Sequence, residues 1–112
     1  IPYWDYDYIS GDEPRDSSAA VIAVCGMLEA ANYLPDTAPE KQIYKSAASK
    51  MLEAVIDICA TGCGKDFDGL IYKVTPARTM SGYGTEICAP YGDYFYLEAL
   101  MRYIKPNWKR YW

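Results

Sequence analysis

The apolar positions of this chain fall into three blocks of different periodicity, and each block predicts a helix. From Asp16 to about Leu34 the residues Ala19, Ala20, Val21, Ile22, Ala23, Val24, Cys25, Met27, Leu28, Ala30 and Ala31 are apolar almost all round the helical wheel. A helix with that pattern is buried on every side. Asp16 is suited to cap it, its carboxylate accepting from the free amide of Ser18 or Ala19, and Pro35 stops it. Thr37-Ala38-Pro39-Glu40 has capping-box spacing with a proline in the first turn, and it opens a second helix running to about Thr61. Its polar Lys41, Lys45, Ser49 and Lys50 fall on one side, while Ile43, Ala47, Met51, Ala54, Val55 and Ile58 recur at three- and four-residue steps on the other. That predicts one buried face, ended by Gly62 and Gly64. A third helix is expected from Tyr94 to Lys105, capped by Asp93, with Tyr94, Leu97, Leu100, Met101 and Ile104 inward. Arg102 and Lys105 complement its negative end, and Pro106 closes it.

The connections are as informative as the helices. Residues 1–13 are aromatic and acidic with no apolar period, which reads as a loop. Residues 65–92 are rich in Gly, Pro and Thr around one apolar stretch, Leu70-Ile71-Tyr72, that is either a short strand or an anchored loop. A connection of that length is usually functional or disordered. The fold class is therefore all-α, about three helices plus long loops. Two architectures satisfy the pattern: part of a two-layer helical barrel, with an apolar inner ring and an amphipathic outer one, or a compact three-helix bundle. The opening at Ile1, straight into Pro2-Tyr3-Trp4-Asp5-Tyr6, reads like the interior of a longer protein, so a missing targeting signal says nothing about compartment.

Composition narrows the chemistry. The 112 residues carry 15 acidic against 11 basic side chains, a net charge of −4, and no histidine. Phosphate binding needs a clustered cationic excess, so nucleic acid is not an expected partner. Without histidine, Ser-His-Asp and Cys-His nucleophiles cannot be assembled within the chain. No apolar run approaches the roughly 18 residues of a membrane span, so no membrane partner is expected either. Of the four cysteines, Cys25 and Cys59 lie in apolar helical patterns and read as buried free thiols. Cys59 and Cys63 have three residues between them rather than the two of a zinc knuckle, and Cys88 stands apart, so no metal or cofactor is called for.

What remains is carboxylate chemistry, aromatic recognition or scaffold. Tyr3, Trp4, Tyr6 and Tyr8 precede the first helix, Tyr83 and Tyr91 lie in the long loop, and Trp108, Tyr111 and Trp112 end the chain. Aromatic faces on loops suit the flat C–H faces of sugar rings, with core packing as the alternative for each ring. Arg15, in Glu13-Pro14-Arg15-Asp16-Ser17-Ser18, either serves as a fork for a substrate carboxylate or knits loops together, as the cation of an internal pair with Asp5, Asp12 or Glu13. Asp5 and Asp7 are two residues apart on one loop, a spacing commoner in turn caps than in catalytic pairs.

Four segments then carry a resemblance. Pro-Tyr-Trp-Asp-Tyr-Asp at 2–7, Glu-Pro-Arg-Asp-Ser-Ser-Ala at 13–19, Gly-Asp-Tyr-Phe-Tyr-Leu-Glu-Ala-Leu at 92–100 and Trp-Lys-Arg-Tyr-Trp at 108–112 together resemble the C-terminal third of glycoside hydrolase family 88, the unsaturated glucuronyl hydrolases. The resemblance covers nearly the whole chain in order. It implies an (α/α)6 barrel, with residues 1–112 as a C-terminal fragment of a single catalytic domain whose remaining helices are its partner. It also implies removal of a 4,5-unsaturated uronic acid from oligosaccharides released by polysaccharide lyases, through hydration of the vinyl ether double bond by an aspartate acid and base.

The family's essential aspartates belong to its N-terminal two-thirds, so the resemblance assigns no catalytic residue here and expects these residues alone to be inactive. Loop 76–91 corresponds to a loop that approaches substrate, where members handling sulfated sugars carry Ser-x-x-Ser-x-Lys; here the stretch Arg78-Thr79-Met80-Ser81-Gly82-Tyr83 keeps only the second serine. Trp4, Arg78, Ser81 and Tyr83 are the expected substrate-binding residues, with Arg78 able to supply a compensating positive charge. The resemblance leaves the compartment open between bacterial cytoplasm and periplasm. The competing functions are a non-catalytic helical carbohydrate-binding or interaction module and a fragment of an unsaturated rhamnogalacturonyl hydrolase.

Overall fold

In the computed structural model, which describes residues 1–62, 66–78, 84–105 and 108–109, the three apolar blocks are three helices. They are α1 (Ser17–Tyr33), α2 (Pro39–Cys59) and α3 (Pro90–Ile104). The start of α1 follows the expectation: Asp16 stands outside the helix in extended backbone, and its Oδ1 accepts from the Ser18 amide at 3.0 Å and the Ser18 hydroxyl at 2.6 Å. That satisfies one of the amide donors an α-helix leaves orphaned at its N-terminus. The other two starts differ. α2 is capped by Ala38 without a side-chain bond, so the Thr37 box does not form, although Pro39 takes the first turn as expected. α3 begins at Pro90, four residues before the predicted start, because a proline in the first turn costs no amide partner. Asp93 consequently lies inside the first turn, and its Oδ1 accepts from the amides of Leu70 at 2.8 Å and Ile71 at 3.1 Å.

The buried faces also differ from the predicted ones. In α2 the buried row is Ala48, Leu52, Val55 and Cys59, while Ile43 and Ile58 are 62% and 52% exposed. This row lies one residue on from most of the predicted stripe, about 100° round the wheel. It carries the small Ala48 and Cys59, which let α1 approach closely. In α3 the buried residues are Gly92, Glu98 and Ala99, with Phe95 and Tyr96 packed beside them, whereas Tyr94, Leu97 and Ile104 face outward. Small residues again mark the packed side.

α1 packs against both α2 and α3, which scarcely touch each other. Two apolar clusters follow its length: Ala20 and Val21 with Val55, Cys59, Ile71, Val74 and Ala89 near its start, and Val24 and Cys25 with Ala48, Leu52 and Ala99 further along. The helix is not sheltered all round, however. Ile22, Ala23, Gly26, Ala30 and Tyr33 form an open strip. Beside it, α3 contributes the buried Glu98, whose Oε1 accepts from Arg102 Nε at 2.9 Å, while Arg102 Nη1 reaches across to Glu29 of α1 at 2.7 Å.

Residues 70–72 are an anchored loop rather than a strand: Ala60 and Ile71 form a single antiparallel bridge, fixed by Tyr72 N to Cys59 O at 2.9 Å and Thr61 N to Leu70 O at 3.0 Å. Val74 and Ile87 make a second bridge, Tyr3 and Arg15 a third. The radius of gyration, 14.9 Å, exceeds the roughly 13 Å of a compact domain of this length, in keeping with extents of 49 × 32 × 26 Å. Among the described residues no helix is long and apolar enough to cross a membrane.

Candidate functional site

The loops converge at the N-terminal end of α1. Trp4 N donates to Pro14 O and Asp16 N to Pro2 O, both at 3.0 Å, so the first residues run antiparallel to those entering the helix. The long loop is stitched to the same point. Ser17 Oγ donates to Tyr72 O at 2.8 Å, Thr75 Oγ1 to Arg15 O at 2.7 Å, and the Thr75 amide to the capping Oδ1 of Asp16 at 3.3 Å. One carboxylate oxygen therefore starts a helix and fixes a loop.

This frame brings together Trp4 and Arg78. Trp4 Nε1 donates to Glu13 Oε2 at 3.2 Å, and the Arg78 guanidinium pairs with the same oxygen. Tyr8 lies against Trp4 with ring centroids 6.2 Å apart. The Arg78 side chain is 43% exposed and that of Glu13 23%. The pair therefore sits at the surface, where a ligand can reach it. Ser81 and Tyr83, the other two expected contacts, lie outside the described residues.

Arg15 knits loops together, but not through the expected ion pair. Its guanidinium stacks 3.6 Å from the Tyr3 ring centroid and donates to the Ile1 carbonyl at 3.0 Å, and among the described residues it forms no ion pair with Asp5, Asp12 or Glu13. It clamps the N-terminal strand of loop. Asp5 caps a turn, its Oδ1 accepting from the Asp7 amide at 3.0 Å. Neither acid is paired with the other for proton transfer. Beneath the cluster, Lys73 and Glu86 join at 2.9 Å. Burial works to raise the Glu86 carboxyl, but hydrogen bonds from Lys73 and the Arg15 amide outweigh it and hold the group below the usual carboxylate range. The same bond from the other side raises the Lys73 ammonium. Both residues adopt left-handed backbone, φ 64° and 50°, a conformation sustained here by the flanking Val74–Ile87 bridge.

An indole, a phenol, a guanidinium and a carboxylate at one loop junction can pack a sugar ring and bond its hydroxyls or acid group. Sequence reasoning missed Glu13 as the residue joining the others, since it lies 65 positions from Arg78 and nothing local marks the contact. Among the described residues no three His, Cys, Asp or Glu groups gather to hold a metal ion.

No family model matches the chain. Individual proteins do, along its full length. It is 38% identical over 116 residues to an unsaturated chondroitin disaccharide hydrolase of Streptococcus agalactiae and 41% identical over 113 residues to that of Streptococcus pyogenes, in each case with all of this chain covered. It spans 28% of the length of those relatives. Among solved structures, the unsaturated glucuronyl hydrolase of Streptococcus agalactiae superposes with a TM-score of 0.87 at 36% identity, over 100% of this chain and 30% of that one. An aspartate variant of that protein, complexed with dGlcA-GalNAc6S, gives 0.86 at 36% identity over 100% and 29%. The enzyme of Bacillus sp. GL1, described as responsible for the degradation of glycosaminoglycan, gives 0.86 at 33% identity over 95% and 28%. In sequence and in the arrangement of its helices, the chain is similar to part of the helical barrel of the unsaturated glucuronyl hydrolases.

Proposed function

We propose that these residues form the C-terminal part of an (α/α)6-barrel hydrolase that removes a 4,5-unsaturated uronic acid from lyase-generated oligosaccharides by hydrating its vinyl ether double bond. The observation carrying this reading is the end-to-end match to hydrolases of that name, at 38% identity with no part of the chain left over. The Trp4–Glu13–Arg78 cluster supports it with suitable chemistry. In this reading Trp4 packs a sugar ring, Arg78 meets its acid or sulfate group, and Glu13 holds both in register. Ser81 and Tyr83 are the further substrate contacts that this reading expects. The aspartate that protonates the double bond lies outside these 112 residues, which have no activity by themselves. A solved relative's complex with dGlcA-GalNAc6S supports this ligand class.

Loss of the conjugated double bond's ultraviolet absorbance tests the proposal directly. The complete gene product is expected to consume an unsaturated chondroitin disaccharide faster than an unsaturated rhamnogalacturonan one. The 112 residues alone are expected to consume neither. In the active protein, Trp4→Ala and Arg78→Ala should each raise KM about tenfold, the equivalent of roughly 1.4 kcal/mol of lost contact. Preference for the rhamnogalacturonan product would overturn the substrate, and unchanged KM in both variants would overturn the site.

A further inference from the structure

α1 has 17 residues, so its ends lie about 24 Å apart at 1.5 Å per residue. The cluster described above occupies the first end. At the other, α1, α2 and α3 leave a cleft of about 520 Å³, within the 300–1,000 Å³ typical of small-molecule sites. Its lining is chemically one-sided. Among the described residues Lys45 and Lys105 border it without an ion-pair partner and no acid lines it, the carboxylate that feels Lys45 being that of Asp36, which pairs with Lys41. Arg102 also lines it, already held by Glu29 and Glu98, and its guanidinium sits 5.4 Å from the ring centroid of Trp108. Asn32 and Gln42 bring side-chain amides that make no hydrogen bond within the described chain.

Helix-dipole compensation accounts for only part of this. Lys105 follows the end of α3 and Lys45 lies beside the last turn of α1, both places where a cation is favoured, but neither ammonium meets a carbonyl or carboxylate there among the described residues, and the dipole does not account for the amides. A concave surface with unspent amide donors and acceptors, an aromatic ring and two ammoniums without an ion pair among the described residues matches one ligand class well. We propose that this cleft is a second binding site, for an acidic sugar. Lys45 and Lys105 take its carboxylate or sulfate, Asn32 and Gln42 bond its hydroxyls, and the indole of Trp108 packs against the ring. The site is separate from the first and does not rest on the reading given for it.

Calorimetric titration with the saturated glucuronate–N-acetylgalactosamine disaccharide, which has no double bond to hydrate, separates the two. A W4A/R78A variant disables the first cluster. That variant is expected to keep saturable binding that weakens as salt rises, and to lose about tenfold in affinity when Lys45→Ala and Lys105→Ala are added or when Asn32→Ala and Gln42→Ala are added. Inorganic sulfate and a neutral disaccharide should each bind at least about tenfold more weakly than the acidic one. The proposal is overturned if W4A/R78A removes all binding, if the lysine pair can be replaced without effect, or if sulfate alone binds as tightly. Loss of binding through the lysines with none through W4A/R78A would instead sink the first cluster and leave this site standing.

Discussion

The thiol of Cys25 is 5% exposed and donates to the Phe95 carbonyl at 3.6 Å, close to the buried Glu98–Arg102 pair. Burial, and after it the negative charge of Glu98, push its pKa from an ordinary 9.0 up to about 12. The unfolded chain releases this proton near pH 9 while the folded chain keeps it, so between these limits the native state binds more protons and stability falls as pH rises. The expected slope from this group is about 1.4 kcal/mol per pH unit. Urea unfolding at pH 8, 9, 10 and 11 should show the wild-type curve descending towards, or below, that of Cys25→Ala; parallel descent of the two would refute the assignment. Lys73 and Glu86 act in opposite windows. The raised ammonium contributes below its unfolded value and is lost as pH rises through its folded one, whereas the depressed carboxyl contributes above its unfolded value and is lost on acidification. Both side chains are partly exposed, so these contributions are small.

At the scale of the element, the entry to α3 depends on an absent side chain. A Cβ on Gly92 would stand 2.8 Å from Cγ2 of Val74, which is fully buried and cannot swing aside. Gly92→Ala is therefore expected to destabilise by about 1–3 kcal/mol, as overpacked cores do. Adding Val74→Ala should cost less than the sum of the two single changes, because each relieves part of the other's fault. A double-mutant cycle of urea midpoints checks this, and strict additivity would mean the two groups do not meet. Such contacts explain what the sequence could and could not disclose. α1 was legible because Asp16 and Pro35 bound it chemically at both ends. The inward faces of α2 and α3 were not, because both helices carry more large apolar residues than their neighbours here can cover. The choice of face then fell to small residues, Ala48, Cys59, Gly92 and Ala99, whose role is close approach rather than bulk. Asp93 has the right chemistry for a cap, and Pro90 pre-empted it. Trp4 and Arg78 could be picked out by residue type, but their meeting through Glu13 depends on a loop closing over 65 positions.

Across the whole molecule, apolar surface remains open on two helices: the strip of Ile22, Ala23, Gly26 and Ala30 on α1, and Tyr94, Leu97 and Ile104 on α3. The exposed faces are consistent with the share of the relatives' length that the chain spans, 28%. Cohesion within that share is unevenly distributed, since α1 is the common neighbour of two helices that have almost no surface between them. Hydrogen exchange should expose this hierarchy. Amides of α1 from Val21 to Cys25 are expected to exchange slowest, only through complete unfolding, while those of α2 from Lys41 to Ser46, whose side chains are mostly open to solvent, exchange by local fraying. Faster exchange in the middle of α1 than in the first half of α2 would contradict that ranking. If α1 melts, α2 and α3 keep too little joint contact to persist as a two-helix remnant, so the three helices disappear together.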